Sequence, residues 1–271
     1  GKKVATGGSR GFIKIWELSS GTEIMSFKAH NGEVDSIEIS PDGKIIAAGL
    51  DDNIRIWDSI TGNEIMTFKT HEKKVDSIEF SPDGKIIATG SDATIRIWDS
   101  TTGHELYQMI SETDVINEMH KQCLFKFSPD GKLFAVNRGT HVELWSINQG
   151  RDDVGTDAQG VFKGLADVFL LPVFDERSLN FVPPSLDFSN DGKILAASYG
   201  SIVVYNLDTK KSLWSYNNKC VAAFPIPSNP DLFSVKYAAL HPNGKLLFIY
   251  TDKGDIESKI DDLGVSLLNL K

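Results

Sequence analysis

The sequence predicts an all-β fold built from four-stranded antiparallel sheets repeated at a fixed interval. Two marks carry that prediction. Ile13-Lys14-Ile15-Trp16, Ile54-Arg55-Ile56-Trp57 and Ile95-Arg96-Ile97-Trp98 follow one another at steps of 41 residues. Ser40-Pro41-Asp42-Gly43-Lys44, Ser81-Pro82-Asp83-Gly84-Lys85 and Ser128-Pro129-Asp130-Gly131-Lys132 keep nearly the same beat. A period of about 40 residues signals one supersecondary unit stacked many times.

The third copy shows each element of the unit. Val75-Asp76-Ser77-Ile78-Glu79-Phe80 alternates apolar and polar, the period of a half-buried strand. In Ser81-Pro82-Asp83-Gly84, Pro82 presets φ for a turn and Gly84 takes a positive φ. Ile86-Ile87-Ala88-Thr89 is a second strand rich in β-branched residues. A short turn at 90–93 leads to a third strand, Thr94-Ile95-Arg96-Ile97-Trp98. After a turn at 99–103, Glu105-Leu106-Tyr107 opens a fourth. Four short strands cannot bury both faces alone, so neighbouring units must pack on either side. A ring of such sheets is a β-propeller.

Bulk properties narrow the function. The chain has 271 residues, 41% of them hydrophobic, enough for a substantial core. Its formal charge of −9 disfavours nucleic acid as a partner. Cys123 and Cys220 are too few for a disulfide framework, and no Asn-x-Ser/Thr triplet occurs. A cytoplasmic protein is therefore expected. No apolar run approaches the roughly 20 residues of a membrane span.

With Trp57-Asp58, Trp98-Asp99 and the near match Trp16-Glu17, these repeats resemble the WD-repeat family of β-propellers. His30 and His71 each stand 27 residues before Trp57 and Trp98, although Ala29 and Thr70 replace the glycine that precedes this histidine in the family. The resemblance implies a buried hydrogen-bonded chain in each blade, made by a His, a strand Ser/Thr, a turn Asp and the Trp. The third copy supplies His71, Thr89, Asp92 and Trp98. The second has His30, Asp51 and Trp57, with Ala48 in place of the hydroxyl, and the first has Thr6 and Trp16 with Arg10 at the turn.

Later copies decay. Val142-Glu143-Leu144-Trp145 keeps the Trp, Ile202-Val203-Val204-Tyr205 exchanges it for Tyr, and Val265-Ser266-Leu267-Leu268 keeps only Leu. Six blades are visible, and a seventh split between missing ends fits the pattern. One propeller domain over 1–271 is expected, as a portion of a longer chain. Insertions are expected at 147–181 and 252–263, with a shorter one at 108–121. The first holds Phe169, Leu170, Leu171 and Phe174, read either as an outer strand with an irregular plug or as a partner-docking segment.

Chemistry is sought and mostly not found. His71, Thr89 and Asp92 imitate a hydrolytic triad but fall on the structural chain. His120 and Cys123 are half of a metal-site spacing without a second pair. No enzyme activity and no cofactor are expected. The resemblance implies a binding rim around the starts of the inner strands, at Glu33, Asp35, Lys74, Asp76, Lys121 and Cys123, with Leu50, Ser91 and Arg138 in neighbouring turns. The expected function is a non-catalytic scaffold that binds one or more proteins, in a multi-subunit complex, through this rim and the inserted loops. The alternative is a sensor or regulatory module of a larger signalling protein.

Overall fold

Every regular element among the described residues is a β-strand; in this computed structural model those residues are 3–91, 94–110, 124–138, 141–148, 161–170, 185–198, 201–217, 235–240 and 247–251. The chain divides into two compact units. The first comprises 1–123 with 147–163, the second 124–146 with 164–271.

In the first unit, β1 (Lys3–Gly7), β2 (Phe12–Glu17) and β3 (Glu23–Lys28) form a three-stranded antiparallel sheet. Next come β4 (Ser36–Ile39), β5 (Ile45–Leu50), β6 (Asn53–Asp58) and β7 (Glu64–Lys69), paired in sequence order. The third sheet repeats this with β8 (Ser77–Phe80), β9 (Ile86–Ser91), β10 (Thr94–Asp99) and β11 (Glu105–Ile110). These are propeller-type blades. The inner strand β8 starts two residues later than its alternation predicts. Val75 and Asp76 instead spend their N–H groups on Asp51 O (2.8 Å) and Gly90 O (2.9 Å).

Next along the chain come β12 (Leu124–Phe127), β13 (Leu133–Asn137), β14 (His141–Ile147) and β15 (Phe162–Leu170), then β16 (Ser185–Phe188), β17 (Ile194–Ser198), β18 (Ser201–Asn206) and β19 (Lys211–Asn217); all but Ile147, Phe162 and Lys163 of these belong to the second unit. A two-stranded sheet, β20 (Val235–Leu240) and β21 (Leu247–Thr251), follows. Thus 162–170 of the expected insertion is an outer strand. The expected strand at 265–268 and the insertion at 252–263 lie outside the described residues.

One turn recurs with the same bonds each time. Ser40 Oγ donates to Asp42 Oδ1 (2.7 Å) and accepts from Ile45 N (3.1 Å), while Asp42 Oδ1 also takes Lys44 N–H (3.0 Å). Ser81/Asp83, Ser128/Asp130 and Ser189/Asp191 repeat the pattern. The glycine that closes each turn needs the left-handed region, with φ of 73° at Gly43 and 71° at Gly84. The donors around Asp42, first the Lys44 N–H, then the Ser40 hydroxyl and the Lys44 ammonium, hold its carboxyl down at about 2.

The turn after each Trp is built on the next residue. Asp58 Oδ1 accepts from Ile60 N, Thr61 N and Thr61 Oγ1, and Asp99 Oδ1 does the same for Thr101 and Thr102. This is why Asp follows Trp in the repeat. Asn206 performs the task in the fifth copy by accepting from Thr209.

The core lies between blades. Phe27 of β3 packs on Trp57 of β6 (centroids 5.7 Å apart), and Phe68 of β7 on Trp98 of β10 (5.3 Å). Ile54, Ile56, Val75 and Ile87 fill the space between the second and third blades. In the second unit, Leu144, Phe169, Leu195, Val203 and Tyr205 share one cluster. Stacking sheets in this way turns a half-hidden strand face into buried apolar area, each large side chain adding about 1.5–3 kcal/mol.

Candidate functional site

The polar chain of the blades is divided among the copies. In the third blade, β9 and β10 pair so that Thr89 lies opposite Arg96, two residues before Trp98. Trp98 Nε1 donates to Thr89 Oγ1 at 2.9 Å, and His71 Nε2 lies 2.8 Å from the same oxygen. Burial, with the Arg96 charge adding to it, lowers His71 to about 4 even though the Thr89 contact acts the other way. His71 is therefore neutral at pH 7. Thr89 is fully buried and its oxygen is occupied by the indole, so no substrate reaches a Ser/Thr–His nucleophile here. Asp92 lies outside the described residues.

The second blade keeps the other half. His30 Nδ1 accepts from Gly32 N–H (3.0 Å), so Nε2 carries the proton toward Asp51 Oδ2 at 3.2 Å. Asp51 sits at φ 55°, the left-handed conformation that Asp tolerates in a tight turn. Trp57 is buried, but Ala48 offers it no hydroxyl. The first blade keeps only Trp16 Nε1 to Thr6 Oγ1 at 2.9 Å.

The expected rim separates into accessible and inaccessible positions. Glu33 and Lys74 are exposed, and Asp76 is half-buried. The Asp35 side chain is only 3% exposed, and Lys74 Nζ stands 2.7 Å from its Oδ1. That contact, then the charges of Asp35, Glu33 and Asp76, holds Lys74 above its ordinary value against desolvation. Leu50 and Ser91 are a correction to the expectation: both are buried, because β5 and β9 run two residues further than the apolar stretches suggested. Lys121 and Cys123 lie outside the described residues, as do Leu171 and Phe174 and the side chain of Leu170. Phe169 is turned inward against Tyr205, with centroids 4.2 Å apart.

Arg138 serves a cluster that sequence reasoning missed. Its Nε and Nη2 both lie 3.1 Å from Glu143 Oε2, which also accepts Trp145 Nε1 at 3.1 Å. His141 Nε2 is 3.4 Å from Oε1. Burial would raise Glu143, but Arg138 and these donors outweigh it and leave the carboxyl below its ordinary value. A signal existed. Two residues before the Trp, the earlier copies carry Lys14, Arg55 and Arg96, paired with Glu23, Glu64 and Glu105 at 2.6, 3.7 and 3.1 Å. Glu143 inverts the charge at this position, and the cation moves to Arg138. The indole, without a Thr partner, is satisfied by the carboxylate.

Among the described residues, no three His, Cys, Asp or Glu side chains converge as a metal site. No helix there is long and apolar enough to cross a membrane.

Residues 21–58 and 62–99 match the family described as WD domain, G-beta repeat. The chain is also similar to the guanine nucleotide-exchange factor SEC12 of Rattus norvegicus, 42% identical over 48 residues, which are 18% of this chain and 12% of that protein. The corresponding protein of Mus musculus is 40% identical over 48 residues, with the same coverage. The match thus spans 12% of the length of either relative.

Proposed function

With WD repeats established at residues 21–58 and 62–99, we propose that this chain is a non-catalytic scaffold that binds a partner protein through the rim at the starts of its inner strands. The observation that supports this is the tie between Asp35 and Lys74, which links the leads into β4 and β8 across two blades. It ties two neighbouring inner-strand leads together and leaves Glu33 and the outer surface of Lys74 facing solvent. Rigid presentation of exposed polar groups lowers the ordering cost of association. The polar chains beneath are structural, which fits a module that binds and does not turn over substrate.

The test is affinity purification from native cells with the chain and with Glu33→Lys. Glu33 is exposed, so the variant should melt at the same temperature. Loss or marked weakening of a specific co-purifying protein supports the rim; an unchanged set of co-purifying proteins refutes it.

A second reading, a regulatory module of a signalling protein, draws support from the matched relatives, which are nucleotide-exchange factors. A GTPase among the co-purifying proteins, with nucleotide release accelerated by the chain, would favour it.

A further inference from the structure

A groove of about 350 Å³ opens between the second and third blades, at the far end of the inner strands from the rim. Its apolar wall is Ile45, Ile65 and Met66; its polar edge carries Asp42, Lys44, Asp83 and Thr101. Ile65 is there because the β6–β7 ladder skips it: the register passes from Ile56↔Met66 to Trp57↔Glu64. A bulge of this kind re-aims the extra side chain. Ile65 is 55% exposed, a large apolar residue at the mouth of a cavity.

The next blade shows what such a position accepts. Leu106 is the corresponding bulge residue of β11, between Ile97↔Tyr107 and Trp98↔Glu105, yet it is only 9% exposed. Beside it Tyr107, the counterpart of Met66, carries the edge of the Phe162 ring at 5.3 Å and 73°. The chain supplies its own aromatic side chain at this later position and leaves the earlier one open.

The polar edge adds a charge preference. Lys44 folds back onto Asp42 (3.2 Å) and Lys132 onto Asp130 (3.0 Å). Asp83 Oδ1 takes the Ser81 hydroxyl and the Lys85 N–H, but among the described residues its second oxygen has no partner. An exposed, unneutralised carboxylate therefore borders an apolar groove.

We propose that this groove is a second protein-docking site, and that its occupant is an extended segment of a partner protein presenting an aromatic side chain followed by Lys or Arg. The ring lies against Ile65 and Met66 as Phe162 lies against Tyr107, and the cation pairs with Asp83. The cavity volume is at the small end of the range for ligand sites, room for about one large side chain and its neighbour. No rim residue takes part, so the site stands or falls separately from the rim.

The experiment follows the Ile and Met methyl signals of the 271-residue chain by NMR during titration with the peptide Gly-Ser-Phe-Arg-Ser-Gly. Saturable shifts confined to Ile65, Met66 and their neighbours are expected. Replacing Phe by Ala in the peptide should abolish them, and replacing Arg by Glu should weaken binding about threefold to fivefold, as for an exposed ion pair. Asp83→Asn keeps the turn's acceptor and should erase that Arg-over-Glu preference. Ile65→Ser, at an exposed position, should weaken the Phe peptide while leaving the spectrum folded. No shift at Ile65 and Met66 at millimolar peptide, or equal shifts from the Ala peptide, overturns the proposal.

Discussion

Trp98 and Thr89 are joined by an indole N–H that donates to a buried hydroxyl at 2.9 Å, and the same hydroxyl meets His71 at 2.8 Å. One oxygen thus links two buried polar side chains of the third blade. Thr89→Val keeps the shape and removes the oxygen. It should cost about 2–3 kcal/mol, because two buried groups lose a partner. Ala48→Thr is the reciprocal change, giving Trp57 the hydroxyl it lacks. It should gain about 1 kcal/mol if the methyl group fits. Urea denaturation of both variants measures this; a neutral Thr89→Val would show that the bond carries no net stability.

Stability should depend on pH through His71. Its folded value is about 4, against an ordinary 6.5 in the unfolded chain. Between those values the unfolded state holds more protons, so stability rises with pH there. The contribution is full above about pH 6.5 and is lost as pH falls toward 4. From pH 7 to pH 5 this amounts to about 2 kcal/mol. His71→Asn should be less stable at pH 7 but should show a flatter profile over the same window. A profile unchanged by the variant would assign the acid sensitivity elsewhere.

Glu143→Gln should act on the second unit. It leaves the nearly buried Arg138 guanidinium without its counter-charge, at a cost of about 3–5 kcal/mol. Glu143 is also the acceptor of the Trp145 indole, so the fluorescence of Trp145 should shift as well. Glu143→Gln with Arg138→Met should recover a large part of the loss. Failure to recover would mean that the carboxylate acts mainly through Trp145.

Lys210 occupies a left-handed position, φ 56°, where Gly62 and Gly103 stand in the second and third blades. Lys210→Gly removes a conformational strain of about 1–2 kcal/mol. It also removes an ion pair with Asp167 (2.9 Å) whose lysine is 65% exposed, a contact of about 0–1 kcal/mol. The conformational effect is the larger, so a small rise in melting temperature is expected. A fall would show that the Asp167 contact dominates.

The repeat was legible because its residues act locally. Pro-Asp-Gly-Lys turns close on their own Ser and Asp, and Trp-Asp turns close on their own Thr, so a few adjacent residues suffice to place them. Local patterning placed β8, β9 and β10 for the same reason, although β8 begins two residues later and β9 ends two residues later than that pattern suggests. The candidate rim was less legible. Leu50 and Ser91 look like turn residues by position, but β5 and β9 run on to include them. Asp35 looks like a free surface charge until Lys74, 39 residues later, is seen to close on it. The inward turn of Phe169 onto Tyr205 likewise depends on a residue 36 positions away.

By itself the sequence determined the all-β class, the blade period, the turn chemistry and which copies could hold the Trp–Thr and His–Asp contacts. Tertiary structure alone decided which rim charges stay in solvent, that Arg138 belongs to a buried carboxylate, and that Ile65 and Asp83 border one open groove. The reason is distance along the chain. A turn or an alternation is an interaction among neighbours and is written in composition and spacing. Burial and ion pairing between blades depend on stacked sheets bringing together residues about 40 positions apart, and no local pattern records whether the facing side chain is a partner or empty space.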